Sequence, residues 1–289
     1  MEITAVRAHV LRLPEVSAIC EGTQDTCLIQ IETDAGITGW GEVDSCPSVV
    51  KAVIEAPLSH QICNGLANAL VGADPLAVEA CMARMDAAAN YYGRVGVGAH
   101  AMAGINQALW DIAGKAHDAP IYQLFGGPFK KSFRAYCSIL FGDTPEATYD
   151  LARRHADMGF TAIKFGWGPM GQSEEHDIAL VREARRGAGQ DVDILVDAGQ
   201  VWDWKTALQR AESFADYGIF WLEEPLHPQD VAGYSQLCAA SPVPIATGEA
   251  ESNLTDFEHL LTEGEIDWVQ PDPGRCGISN MVAVRRMAH

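Results

Sequence analysis

Basic residues are scarce in this 289-residue chain: 20 Lys and Arg stand against 39 Asp and Glu, a formal charge of −19. Nucleic acid and anionic membrane surfaces both need neutralising cations, so neither is an expected partner. Long apolar runs are missing too. No stretch of about 18 apolar residues is present, and nothing in the sequence can cross a bilayer as a helix. The opening MEITAVRAHVLRLPE has no basic n-region, apolar core or small-residue cleavage site, so a cytoplasmic protein is expected. The eight cysteines are scattered without a C-x-x-C pair and read as buried free thiols. Neither a G-x-G-x-x-G after a strand nor a P-loop occurs, which argues against nucleotide binding. A surface this acidic also repels small anions. An anionic substrate would need a site with a cation of its own.

What is present is regular. Apolar-rich stretches at 2–13, 26–33 and 37–43 predict a small antiparallel sheet, with Asp34-Ala35-Gly36 as a hairpin loop. From about 47 to 117 the pattern is helical: Val97, Ala101, Ile105, Ala108, Leu109 and Ile112 recur at 3.6-residue spacing. The turn-rich segment PIYQLFGGPFK closes this α+β region, and the domain division is set at 1–128 and 129–289. Beyond it, short apolar runs at 134–140, 161–165, 192–197, 219–222, 243–247 and 266–270 alternate with amphipathic stretches, the last at 278–288. This alternation predicts an α/β domain of parallel βα units, six by count. An open doubly wound sheet accommodates six such units, whereas a (β/α)8 barrel of the TIM type needs eight.

Chemistry concentrates where these strands end. Asp197 ends ILVD, Glu223 and Glu224 end WLEEP, and Glu249 follows IATG; Asp197, Glu223 and Glu249 are spaced 26 residues apart, one βα unit per step. Successive strands of a parallel barrel are neighbours with their C-terminal ends at one mouth, so the three carboxylates are expected to converge. Converging carboxylates repel one another unless a cation neutralises them, and an all-oxygen set favours Mg²⁺. The plainer reading, each acid a helix N-cap, suits any one of them better than all three at equal spacing. Lys164, on the strand TAIKFG, precedes Asp197 by one longer unit; beside a divalent cation its pKa is expected to be depressed. Asp272 ends the sixth strand in DWVQPDPGRCG, where a turn-forming Asp before Pro273-Gly274 is the competing reading.

This order of Lys, Asp, Glu-Glu-Pro, Gly-Glu and Pro-Asp on successive strands resembles the enolase superfamily. GITGWGE at 36–42 and GINQALWDIAGKAHDAPIYQLFGG at 104–127 resemble its N-terminal capping domain. Glu249 and Asp272 match the mandelate-racemase branch, which holds acid-sugar dehydratases and a few racemases. The resemblance implies a capping domain followed by a (β/α)8 barrel, of which about six units are present. It implies a Mg²⁺ site made by Asp197, Glu223 and Glu249, with Lys164 gripping the substrate carboxylate. Asp272 would orient a histidine on strand seven, and Glu224 and Pro225 would support the ligand strand. The implied partner is a small sugar acid, in a protein expected to be a homo-oligomer.

The sequence departs from that pattern twice. The branch often carries Lys-x-Lys on strand two, but here Gly166 follows Lys164-Phe165. Two-base racemisation loses one of its bases. The dyad histidine should follow Asp272 by about one βα unit, and the sequence as given ends at His289. His289, His155, His176 and His227 fall on helices or loops, so the 289 residues are expected not to work as an enzyme alone. The implied reaction is removal of a proton α to a carboxylate, then loss of water. A one-base epimerase and a non-catalytic member of the family are the alternatives. Substrate choice is expected to lie in 15–27 and 45–50.

Overall fold

The computed structural model describes residues 1–19, 22–128 and 130–289. Cys20 and Glu21, within the stretch expected to carry specificity, lie outside the described residues. Two compact units emerge: Met1–Lys131 with Ala250–Asp256 and Pro271–His289, and Ser132–Glu249 with Phe257–Gln270.

In the first unit, β1 (Ile3–Arg12), β2 (Asp25–Thr33) and β3 (Thr38–Val43) form an antiparallel sheet in that order. Alternation along β2 buries Cys27, Ile29, Ile31 and Thr33 on one face. Five helices follow: α1 (Pro47–Glu55), α2 (Leu66–Leu70), α3 (Val78–Ala88), α4 (Val97–Ala116) and α5 (Ile121–Leu124). Small residues let α4 lie very close to β3. A Cβ built on Gly41 would stand 2.0 Å from the Gly104 carbonyl oxygen, and one on Gly39 would stand 2.2 Å from that of Ala108.

The second unit holds β4 (Cys137–Leu140), β5 (Ala162–Gly166), β6 (Asp193–Asp197), β7 (Ile219–Glu223), β8 (Ile245–Thr247) and β9 (Trp268–Val269). They make one sheet, ordered as in the sequence and parallel at every pairing. The strands alternate with α6 (Pro145–Asp157), α7 (Glu174–Ala188), α8 (Trp204–Ala215), α9 (Val231–Ala240) and α10 (Leu254–Thr262). One sheet face packs Ile163, Phe165, Ile194, Val196, Leu222 and Ile245 against Leu180, Val181, Ala211, Phe214, Tyr234 and Leu237. The other carries a smaller cluster of Ala162, Leu195, Trp221 and Ala246. Arg185 ties down the loops before β6 and β7, donating to the carbonyls of Gly189, Val192, Tyr217 and Gly218 at 2.6–3.0 Å.

The last helix differs from the expected sixth barrel helix. α11 (Pro273–Met287) breaks at Gly277 (φ 80°, ψ 163°), so the expected 278–288 helix is its longer part after a short first turn, and it clusters with the first unit. There Asn106 donates to Ser279 Oγ at 2.9 Å and accepts from its N–H at 3.1 Å, and the Trp110 indole donates to the same hydroxyl at 3.0 Å. A buried asparagine bonded to both the hydroxyl and the backbone of Ser279 outweighs the simple βα alternation.

Gly41→Ala should destabilise the protein by about 2–3 kcal/mol or more, because the new methyl meets backbone that cannot rotate away. Gly22→Ala, with open space around it, should stay within about 0.5 kcal/mol. Denaturant melts of the two variants check this.

Candidate active site

The period of two along a strand decides which side chains share a face. Ala162 and Lys164 on β5, Leu195 and Asp197 on β6, and Trp221 and Glu223 on β7 fall in matching positions. Register then sets height: Gly166 is paired with Asp197, and Asp197 with Glu223. All three polar groups are buried, Lys164 at 8% exposure, Asp197 at 3% and Glu223 at 0%.

Lys164 Nζ donates to Glu223 Oε1 and lies 3.5 Å from Asp197 Oδ2. Asp197 Oδ1 accepts from the Gly199 N–H at 3.0 Å, and Glu223 Oε2 accepts from the Trp221 indole at 2.8 Å. Burial acts to lower the Lys164 pKa, but the carboxylates of Glu223 and Asp197 more than offset it, and the pKa is raised. The depression expected beside a divalent cation is a separate case; here the ammonium is the charge that the two acids hold. Asp197 is pushed up to about 6, first by burial and then by the Glu223 carboxylate, with Lys164 opposing. Glu249, half-buried two residues past β8, adds to the negative field on Asp197.

The helix-cap reading separates these acids cleanly. Asp203 caps α8, Asp230 caps α9, and Asn253 Oδ1 accepts from the Asp256 N–H at the start of α10. Asp197, Glu223 and Glu249 are not the residues in those roles. Asp272, by contrast, is the N-cap of α11, accepting from the Gly274 N–H at 2.6 Å. It lies in the first unit, where burial and then the neighbouring Asp44 raise its pKa against the Gly274 bond and Arg275.

Three non-glycine residues with positive φ follow three adjacent strands: Trp167 (53°) after β5, Gln200 (66°) after β6 and Glu224 (41°) after β7. Such strain persists only where surroundings hold it. The Gln200 N–H donates to the Glu224 carbonyl at 2.7 Å and its side chain to Glu224 Oε2 at 2.9 Å; Glu224 in turn donates its N–H to Ala246. The tip loops are thus laced together just beyond the buried charges. Gly166 is tightly placed as well, since a Cβ there would meet Asp197 Oδ2 at 3.1 Å.

The donor chemistry suits a hard divalent cation, because Asp197, Glu223 and Glu249 offer oxygen atoms alone. As placed, however, no group of three Asp, Glu, His or Cys side chains among the described residues forms a ready metal cage. Lys164 holds the two acids that β6 and β7 bring together, and Glu249 stands outside that pair. Sequence reasoning missed Trp221; the signal was its i, i+2 spacing from Glu223, which puts the indole on the carboxylate's face. The histidines are elsewhere: His155 Nδ1 bonds the Leu151 carbonyl within α6, and His227 Nδ1 accepts from the Gln229 N–H. Of the described cysteines, Cys27, Cys81 and Cys276 are buried free thiols and Cys46 is exposed. No helix among the described residues is long and apolar enough to cross a membrane.

Residues 2–126 match the mandelate racemase/muconate lactonizing enzyme N-terminal domain, and residues 147–289 match the enolase C-terminal domain-like family. The chain belongs to this family of the enolase superfamily, with an N-terminal capping-type domain and a C-terminal barrel-like parallel domain. It is 33% identical over 289 residues to a D-galactarolactone cycloisomerase of Agrobacterium fabrum, covering 96% of this chain and 72% of that one. It is 31% identical over 257 residues to a D-galactonate dehydratase of Pectobacterium atrosepticum, covering 86% and 64%. The solved structure of a 3,6-anhydro-D-galactonate cycloisomerase from Zobellia galactanivorans superposes with a TM-score of 0.87 at 26% identity, covering 100% of this chain and 77% of that one.

Removing Lys164 from between two buried carboxylates should be costly without a cation. Lys164→Met is expected to destabilise the metal-free protein by about 3–5 kcal/mol. Adding Glu223→Gln should recover part of that loss. Equilibrium unfolding of the two single variants and the double variant reads the coupling.

Proposed function

We propose that this chain carries the acid-sugar site of a Mg²⁺-dependent hydro-lyase that removes the proton α to a carboxylate and then expels a β-hydroxyl as water. The observation that carries this reading is the buried Lys164–Glu223–Asp197 cluster at adjacent strand ends, with Glu249 just past the next strand. Dehydratases acting on sugar acids among the relatives support it. The proposed division into a 1–128 capping domain and a 129–289 barrel domain, with six of eight barrel strands, belongs to the same reading.

Asp197, Glu223 and Glu249 would hold the cation through oxygen donors alone. Bound there, Mg²⁺ would supply a Lewis acid for the charge that develops on the substrate carboxylate. With the acids so engaged, Lys164 would present its ammonium to that carboxylate and hold it. As the α-proton leaves, a second negative charge grows on the same oxygens, and the fixed ammonium stabilises it more than it stabilises the ground state. Burial makes this interaction stronger than it would be in water. Asp272 is assigned the family's role, orienting the histidine that moves the proton. Loss of the β-hydroxyl leaves an enol that becomes a 2-keto-3-deoxy acid. Glu224, tied to Gln200, keeps the tip of β7 in one conformation.

A second reading, isomerisation without net loss of water, is favoured by the cycloisomerases among the relatives. It could run as one-base chemistry, because Gly166 stands where a second lysine would supply the opposite base.

A panel of sugar acids with and without Mg²⁺, assayed for 2-keto-3-deoxy product and for deuterium uptake at Cα, tests the reading. Mg²⁺-dependent product is expected, with Lys164→Ala lowering kcat/KM by about 10²–10³-fold while Mg²⁺ affinity stays nearly constant. Deuterium uptake without loss of water would move the assignment to the isomerase. Undiminished turnover in Lys164→Ala would remove Lys164 from the mechanism.

A further inference from the structure

The polar cluster rests on aromatic rings that none of the foregoing chemistry uses. Trp221 lies two residues before Glu223 on β7, so both side chains stand on one sheet face, the indole one layer below the carboxylate. It is 9% exposed, and its ring is held on several sides. Tyr136 meets it edge-on at 6.0 Å between centroids, Trp268 lies at 5.7 Å and Phe220 at 5.4 Å. Tyr136 also presents its ring to Lys164 Nζ, 5.9 Å from the centroid. One aromatic assembly therefore touches both members of the buried ion pair.

The two oxygens of Glu223 are divided between different donors. Oε1 takes the Lys164 ammonium, and Oε2 takes the Trp221 N–H at 2.8 Å. A glutamate's terminal torsion is broad and roughly two-fold, so a carboxylate held at one oxygen can still swing. Bonded at both, it cannot. The indole suits this task because it donates only, carries no charge and has no lone pair with which to compete for a cation. Packing against three other rings keeps the donor itself from moving.

We propose that Trp221 is a positioning residue. Its indole N–H fixes the Glu223 carboxylate, and with Tyr136 it forms an aromatic floor that sets the affinity of the site for a divalent cation. The first half stands on the geometry of the metal-free chain; the second rests on the Mg²⁺ reading given above. Partners of metal-binding carboxylates contribute about 10–100-fold to metal affinity where they have been removed.

The test uses the full chain and three variants. The indole ¹H–¹⁵N resonance of Trp221, identified by its loss in Trp221→Phe, should be protected from solvent exchange without metal. It should move upfield in Glu223→Gln, where a neutral amide replaces the charged acceptor. In calorimetric titrations with Mg²⁺, Trp221→Phe should bind about 10-fold more weakly with its melting transition still cooperative. Tyr136→Leu should weaken binding less, because it leaves the N–H in place. A Trp221 resonance indifferent to Glu223→Gln, or a Trp221→Phe protein with wild-type Mg²⁺ affinity, overturns the proposal. A wild-type chain that binds no Mg²⁺ but shows the charge-sensitive indole supports the positioning role and overturns the metal reading instead.

Discussion

The ammonium of Lys164 sits between the carboxylates of Asp197 and Glu223 where almost no water reaches. Charges so placed are tolerable only in company, because leaving any one alone in the interior costs several kcal/mol. The surrounding architecture serves that company. Parallel pairing brings β5, β6 and β7 to a common height, and the two-residue period turns the three side chains to one face. Positive-φ residues after each strand, laced by backbone hydrogen bonds, keep the tips from opening. An all-oxygen donor set on neighbouring strands is a physical reason for expecting a hard cation there, independent of any relative.

Much of this was legible in the residue pattern. The apolar runs fell within a few residues of each strand of the second unit, because parallel strands buried on both sides read as continuous apolar segments. The equal spacing of Asp197, Glu223 and Glu249 marked strand ends for the same reason. Other features depend on partners distant in sequence. Lys164 was expected to have a depressed pKa, but that expectation assumed the cation. In the chain alone, the nearest charges are negative, and they raise it.

Asp272 and α11 show the limit most clearly. The run ending DWVQPDPGRCG looks like another strand followed by another barrel helix, and β9 is indeed there, two residues long. The helix, however, is broken at Gly277 and held to α4 by Asn106 and Trp110, residues more than 160 positions away. No local pattern announces such a bond. Trp221 is the intermediate case: its position beside Glu223 follows from the strand period, whereas its donor role required seeing where the indole N–H points. Acids that cap helices and acids that end strands look alike in sequence. They part only when the cap positions prove to be filled by Asp203, Asp230 and Asn253.

The most direct measurement is anomalous diffraction from crystals of this protein soaked in Mn²⁺, a hard oxygen-seeking cation like Mg²⁺. The account predicts one strong peak about 2.0–2.2 Å from carboxylate oxygens of Asp197, Glu223 and Glu249, with Lys164 turned away from Glu223. A saturated soak with no peak at the ends of β6 and β7, and Lys164 still on Glu223, would contradict it.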